Sequence, residues 1–193
     1  MTPPLTFLFA LALPAVALAA EEETYVIDPV HSQPMFEIQH MMGFSNQRGT
    51  FSKLAGKVTL DRAEKKGTVD ITIDTTSIRS LNEKLETHLK SEDFFNVAKY
   101  PTMTFKSTNV VFEGDRVVGV DGDLTMIGVT KPVSLKVENF RCGEHPLNKK
   151  AMCGAEATVT IKRSEWGMKY GIPKAVSDDV RLILPIEAYR EQP

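Results

Sequence analysis

The sequence is poor in the residues that usually carry chemistry. Its 193 residues include four histidines, two cysteines and one tryptophan. No Gly-x-Ser-x-Gly occurs, which removes the nucleophile elbow of the α/β-hydrolases. His-Glu-x-x-His and a Gly-rich phosphate cradle are absent as well, so the common zinc-peptidase and nucleotide-binding signatures are excluded. The formal net charge is −2, and no basic patch of the kind nucleic acid demands is present. Pairs such as Lys65-Lys66 and Lys149-Lys150 read as turn residues. There is no internal repeat, low-complexity tract or linker.

Charge is also missing from one stretch. Thr2 to Ala20 carries no charged side chain, and Leu5 to Leu13 is an apolar run broken only by Thr6. Ala17-Leu18-Ala19 fits the small-x-small rule, so residues 1–19 read as a signal peptide cleaved after Ala19. The run is short for a membrane span. The n-region departs from the usual pattern in having only the terminal amine. No cysteine stands at the cleavage point, and no second long apolar stretch follows. Residues 20–193 are therefore expected to form one soluble, exported domain.

Both cysteines, Cys142 and Cys153, fall in the exported part. Between them lies a polar segment with Gly143, Pro146 and Asn148, which reads as a hairpin loop. In an oxidising compartment such a pair is expected to form a disulfide. A redox pair and a metal site are the alternatives. Cys-x-x-Cys spacing is absent, and only His145 lies between the two. No metal site is expected.

What the chain does have is alternation. Val69, Ile71 and Ile73 alternate with Asp70, Thr72 and Asp74, and the same period of two recurs around Phe36, Val58, Phe105, Leu135, Val159 and Leu182. Period two marks strands with one covered face. Turn signals stand at Lys66-Gly67, Glu113-Gly114-Asp115 and Asp121-Gly122-Asp123. The pattern predicts an all-β sandwich or antiparallel barrel. Residues 80–97 break the rhythm. Leu81, Leu85 and Leu89 recur every four residues, which predicts a short helical excursion with one apolar stripe. It would plug a barrel end or pack outside the sheet. Of the histidines, His31 and His40 are nine apart and would point to opposite faces of one straight strand.

Several blocks resemble the YceI-like family. They are Tyr25-Val26-Ile27-Asp28-Pro29-Val30-His31-Ser32 with Phe36 and His40, then His88-Leu89-Lys90-Ser91-Glu92-Asp93-Phe94-Phe95-Asn96 with Tyr100 to Ser107, and Gly122 to Val133. Arg163, Trp166-Gly167 and the segment from Asp179 to Ala188 fit the end. The resemblance runs from about Tyr25 to Ala188. It implies an extended lipocalin-like barrel of eight antiparallel strands, with an interior tunnel for a polyisoprenoid chain or similar amphiphile. It implies a periplasmic monomer or homodimer with no established catalytic mechanism. The Cys142/Cys153 pair resembles a subgroup in which polyprenyl quinone binding has been proposed.

The expected function is accordingly a periplasmic binding or carrier protein for a polyisoprenoid lipid or polyprenyl, ubiquinone-type quinone. No covalent cofactor, nucleic-acid partner or enzymatic activity is expected; transient membrane contact is. A stress-related or structural barrel without bound lipid is the second reading, and an enzyme acting on such a lipid the third. Alternation together with the family's apolar positions places Phe36, Ile38, Phe51, Val58, Leu60, Ile71, Ile73, Leu89, Phe94, Phe105, Leu124, Met126 and Trp166 along or beside the tunnel. Inward positions mix large residues with small ones such as Gly122 and Ala157, which suggests a slot. His31, Ser32, His40 and His88 are the polar residues nearest those blocks and are candidates to hydrogen-bond a ligand head group, with Arg48 as a further donor.

Overall fold

The computed structural model describes residues 22–192; the leader and its cleavage point after Ala19 lie outside the described residues. Eleven strands and one helix follow in order: β1 (Glu23–Ile27), β2 (Met35–His40), β3 (Ser45–Phe51), β4 (Leu54–Asp61), β5 (Lys66–Asp74), β6 (Ile78–Arg79), α1 (Glu83–Lys90), β7 (Thr102–Glu113), β8 (Arg116–Met126), β9 (Val129–Glu144), β10 (Ala151–Lys162) and β11 (Val176–Arg190). The ring β1-β4-β5-β7-β8-β9-β10-β11 closes through β1 and β11, giving an eight-stranded antiparallel barrel.

Three of its walls are longer than they first look. β1 and β2 both run antiparallel to β11, with Ile27 opposite Ala188 and Met35 opposite Ile183. β4 pairs with β1 while β3 pairs with β2. β5 pairs with β4 while β6 pairs with β3. The first six strands are thus three long strands, each interrupted once. Every interruption strands backbone groups that need partners, and buried hydroxyls supply them. Ser32 Oγ donates to the Glu187 carbonyl and accepts from the Glu187 N–H. Ser77 Oγ donates to the Asp74 carbonyl and accepts from Lys53 N–H. Thr75 Oγ1 donates to the Tyr100 carbonyl at 2.7 Å.

Alternation translated into strands where it was regular, with two exceptions. Asp121-Gly122-Asp123 is not a turn; it lies inside β8. A Cβ on Gly122 would stand 2.5 Å from the Phe105 ring, so the glycine admits the ring and leaves no slot. The real turn is Ile127-Gly128, both at positive φ, between the paired residues Met126 and Val129. Likewise the turn expected at Lys66-Gly67 falls earlier, with Lys65 at positive φ and Lys66 already opening β5.

The helical excursion contains one helix, capped by Asn82, whose side chain accepts from Lys84 and Leu85 N–H. Because the cap sits at Asn82, Leu81 precedes the helix and is fully exposed; it does not join the stripe. Leu85 and Leu89 do face the interior. Phe94 and Phe95 follow in tight turns and are buried. The helical segment covers the barrel where β6 and β7 do not pair.

Cys142 and Cys153 face each other across β9 and β10 and are bonded. The closed loop is short, so Cys142→Ser should lower unfolding stability by up to about 3 kcal/mol. The check is a urea titration in which the midpoint falls.

Candidate binding tunnel

Among the described residues, two successive cavities stand out inside the barrel. The larger, about 580 Å³, is bordered by Phe36, Ile38, Phe51, Ile71, Ile73, Leu89, Phe94, Phe105, Leu124 and Met126, all among the positions expected there. Leu54, Phe95, Met103, Val133, Met168, Leu182 and others complete it. The smaller, about 90 Å³, takes Val58 and Leu60 together with Tyr25, Val110, Val120 and Cys153. Ile71, Leu135, Leu184 and Ile186 border both, so the two follow one another along the barrel with one layer of side chains between. Those four aliphatic residues face inward yet stay only half-buried, because the surface they expose is cavity wall. The volume of the larger cavity falls in the range that holds a drug-sized ligand.

Trp166 borders neither cavity. It is buried, and its Nε1 donates to the Leu124 carbonyl at 3.1 Å. It therefore fixes the wall from behind.

Polarity is confined to one end. His40, Gln47, Asn82, His88 and Arg163 border the larger cavity, and β2, β3, α1 with its cap and the segment after β10 bring them to the same mouth. The His88 ring lies edge-on to Phe94 and Tyr170, with centroids 4.9 and 4.8 Å away, and its Nε2 is 2.8 Å from Asp93 Oδ2. Arg163 is 1% exposed. Its Nε donates to Ser177, its Nη1 to Met168 and its Nη2 to Tyr170 and Val176, all at main-chain carbonyls. Burial pushes the guanidinium below its ordinary value, while the nearby Asp178 carboxylate acts the other way.

Two expected head-group residues are not at this mouth. Ser32 is fully buried at the break between β1 and β2, its hydroxyl committed to Glu187 on both sides. His31 sits in the exposed turn beside it, its Nδ1 2.7 Å from Asp28 Oδ2. Neither borders a cavity. Arg48 is exposed and paired with Glu37. Asp28, His31 and Glu187 hold their donor atoms within 4.8 Å of one another. The hydrogen bond between Asp28 and His31 lowers the carboxyl and raises the imidazole from their ordinary values. Only His40 and His88 of the four candidates reach the cavity. Sequence reading passed over Gln47, Asn82 and Tyr170, because a lone polar residue in an alternating strand or at a cap looks solvated until the chain is closed around it. It read Arg163 only as part of a family block.

The YceI-like domain family matches residues 25–188. The chain is 38% identical to Protein YceI of Escherichia coli O157:H7 over 194 aligned positions, covering 97% of this chain and 96% of that one. Among solved structures, BcnA of Burkholderia cenocepacia superposes with a TM-score of 0.71 at 22% identity, over 83% of this chain and 98% of that one. A polyisoprenoid binding domain from Saccharophagus degradans, implicated in plant cell wall breakdown, superposes at 0.66 with 16% identity, over 86% and 98%. Both likenesses are of fold.

Two outcomes follow from the placement of Ser32 and His31. Ser32→Ala removes the partner of the Glu187 N–H, although the Glu187 carbonyl keeps the Asp28 N–H, so stability should drop by about 1–3 kcal/mol while affinity for an apolar fluorescent probe stays unchanged. In a proton NMR titration His31 should titrate above the ordinary imidazole range, and Asp28→Asn should bring it back down. The pair's stabilisation is complete below the unfolded His value and is lost as pH rises through the raised folded one. On the acid side it is lost as pH falls through the lowered value of Asp28.

Proposed function

The chain belongs to the YceI-like domain family, and from that premise we propose that it is an exported binding protein that carries a long-chain isoprenoid in its barrel. The observation that carries the reading is the pair of successive apolar cavities with polar groups at one end only. That arrangement suits an amphiphile. An isoprenoid tail lies against Ile71, Leu135, Leu184 and Ile186 and points toward Cys153; a head group stays near His40, Asn82 and His88. A neutral imidazole or an amide supplies the donor that a quinone carbonyl or a phosphate oxygen needs. The family premise, the charge-free leader and the disulfide support a periplasmic setting. The one-ended polarity favours a polyprenyl lipid or polyprenyl quinone over a ligand polar at both ends.

The test is organic extraction of the purified protein followed by mass spectrometry, which should recover a polyprenyl lipid or quinone in near-stoichiometric amount. Ile73→Trp puts an indole into the larger cavity and should reduce that yield by at least about tenfold, a displacement equivalent to about 1.4 kcal/mol, with the circular dichroism spectrum retained. Recovery of no lipid from either protein would sink the proposal. Equal loading of both would mean that the ligand sits outside this cavity.

A further inference from the structure

Half of the large apolar side chains that are exposed among the described residues belong to one place. Met41, Met42, Phe44, Leu81 and Tyr170 are 49, 75, 87, 107 and 47% exposed. Single exposed hydrophobics are ordinary; their collection around one opening is not. Three segments carry them, and the structure ties the three together. The Met41 N–H donates to the Ala175 carbonyl at 2.8 Å, joining the β2–β3 turn to the loop 167–175. Tyr170 in that loop stacks edge-on against His88 of α1. Leu81 immediately precedes Asn82, the cap of α1. Met41, Asn82, His88 and Tyr170 all border the larger cavity, so the apolar side chains form the rim of its mouth.

We propose that this rim is a membrane-docking surface that seats the cavity mouth on a lipid bilayer bearing anionic phosphate head groups. The proposal rests on the reading of the cavity as an isoprenoid site.

The backbone of the turn argues for an external use. Met41, Met42 and Gly43 have φ of 48, 54 and 94°. Left-handed backbone is strained for a non-glycine residue, and a packed interior does not offset it here, since Met42 stands in solvent. Strain of this kind collects at functional segments. Charge selects the partner. From Gln39 to Gln47 no side chain is charged. The loop 167–175 carries Lys169 and Lys174 and no acidic residue, and neither lysine has an ion-pair partner among the described residues. Projecting apolar side chains flanked by free lysines match the boundary between acyl chains and anionic head groups. In the third segment exposed Glu83 is balanced by Lys84 beside it, while exposed Glu92 and Asp93 follow α1, so the attraction comes from Lys169 and Lys174 and not from the net charge of this end.

The experiment is flotation of the purified protein with vesicles of phosphatidylcholine alone and of phosphatidylcholine mixed with phosphatidylglycerol. The expected result is partition onto both, stronger on the mixed vesicles. Met42→Ser/Phe44→Ser/Leu81→Ser should weaken it by more than about tenfold, and since all three residues are exposed the thermal midpoint should hold. Lys169→Glu/Lys174→Glu should abolish only the preference for phosphatidylglycerol. Phe44→Trp gives an independent readout, because its emission should shift to the blue on vesicle addition whereas Trp166 is already buried. Wild-type protein that floats with neither vesicle, with no shift in Phe44→Trp, overturns the proposal. A concentration-dependent dimer that the triple serine variant abolishes, without vesicle binding, overturns it in favour of a second copy of this chain. Equal partition onto the two vesicles overturns its anionic part. Docking by protein that yields no lipid on extraction upholds the rim and defeats the carrier reading; lipid-loaded protein that never docks does the reverse.

Discussion

A buried main-chain group must find a hydrogen bond, and in this barrel that requirement is met by side chains at the places where strands are interrupted. Among the described residues the buried polar ones are Ser32, Thr75, Ser77 and Arg163, and all four bond to backbone rather than to each other. Each stands where a ladder stops: Ser32 between β1 and β2, Thr75 and Ser77 between β5 and β6, Arg163 after β10. Unpaired, each of these sites would cost about 1–3 kcal/mol. With them in place the wall can change character partway along without losing closure.

That change of character creates the space. At the level of the smaller cavity the wall is a complete ring of eight strands, spaced about 4.8 Å apart, and side chains nearly fill it, as expected for eight strands. At the level of the larger cavity, β6 and β7 are unpaired and α1 with its following turns stands between them. A helix with its side chains is about 10 Å across, so the circumference grows. The helix also brings Asn82 and His88 to the mouth. The helix thus contributes both volume and two of the polar groups, which join His40, Gln47 and Arg163 at the wide end.

How much of this could be read from the chain depended on how local the cause was. Alternation identified the wall and most of its inward residues, because burial of one strand face is a local pattern: Ile71, Ile73, Phe105 and Leu124 all face the cavity. The disulfide was equally local. The eight-stranded count rested on the family resemblance and not on periodicity. The misreadings arose where distant contacts override local preference. Asp121-Gly122-Asp123 has turn chemistry, yet the Phe105 ring needs the space above Gly122, so the segment stays in β8. Leu81 keeps the spacing of Leu85 and Leu89, but Asn82 starts the helix one residue too late to include it. Ser32 lies in the same family block as His40, and only the closed barrel reveals that its partner is Glu187, 155 residues away.

The proposed carrier role turns on a free-energy difference smaller than the apolar burial suggests. Moving an isoprenoid tail from water into the barrel gains roughly 0.8 kcal/mol per buried carbon, which over a long tail exceeds any real affinity. The tail does not start in water, however. It starts in a bilayer that solvates it about as well as Ile71, Leu184 and Ile186 do, so most of the gain cancels and ordering the tail opposes binding. What remains to decide occupancy is the head group at His40, Asn82 and His88. What decides the rate is the water the tail must cross between bilayer and mouth. A rim of Met42, Phe44 and Leu81 set into the interface shortens that crossing without deepening the bound state, so exchange becomes faster while affinity stays moderate.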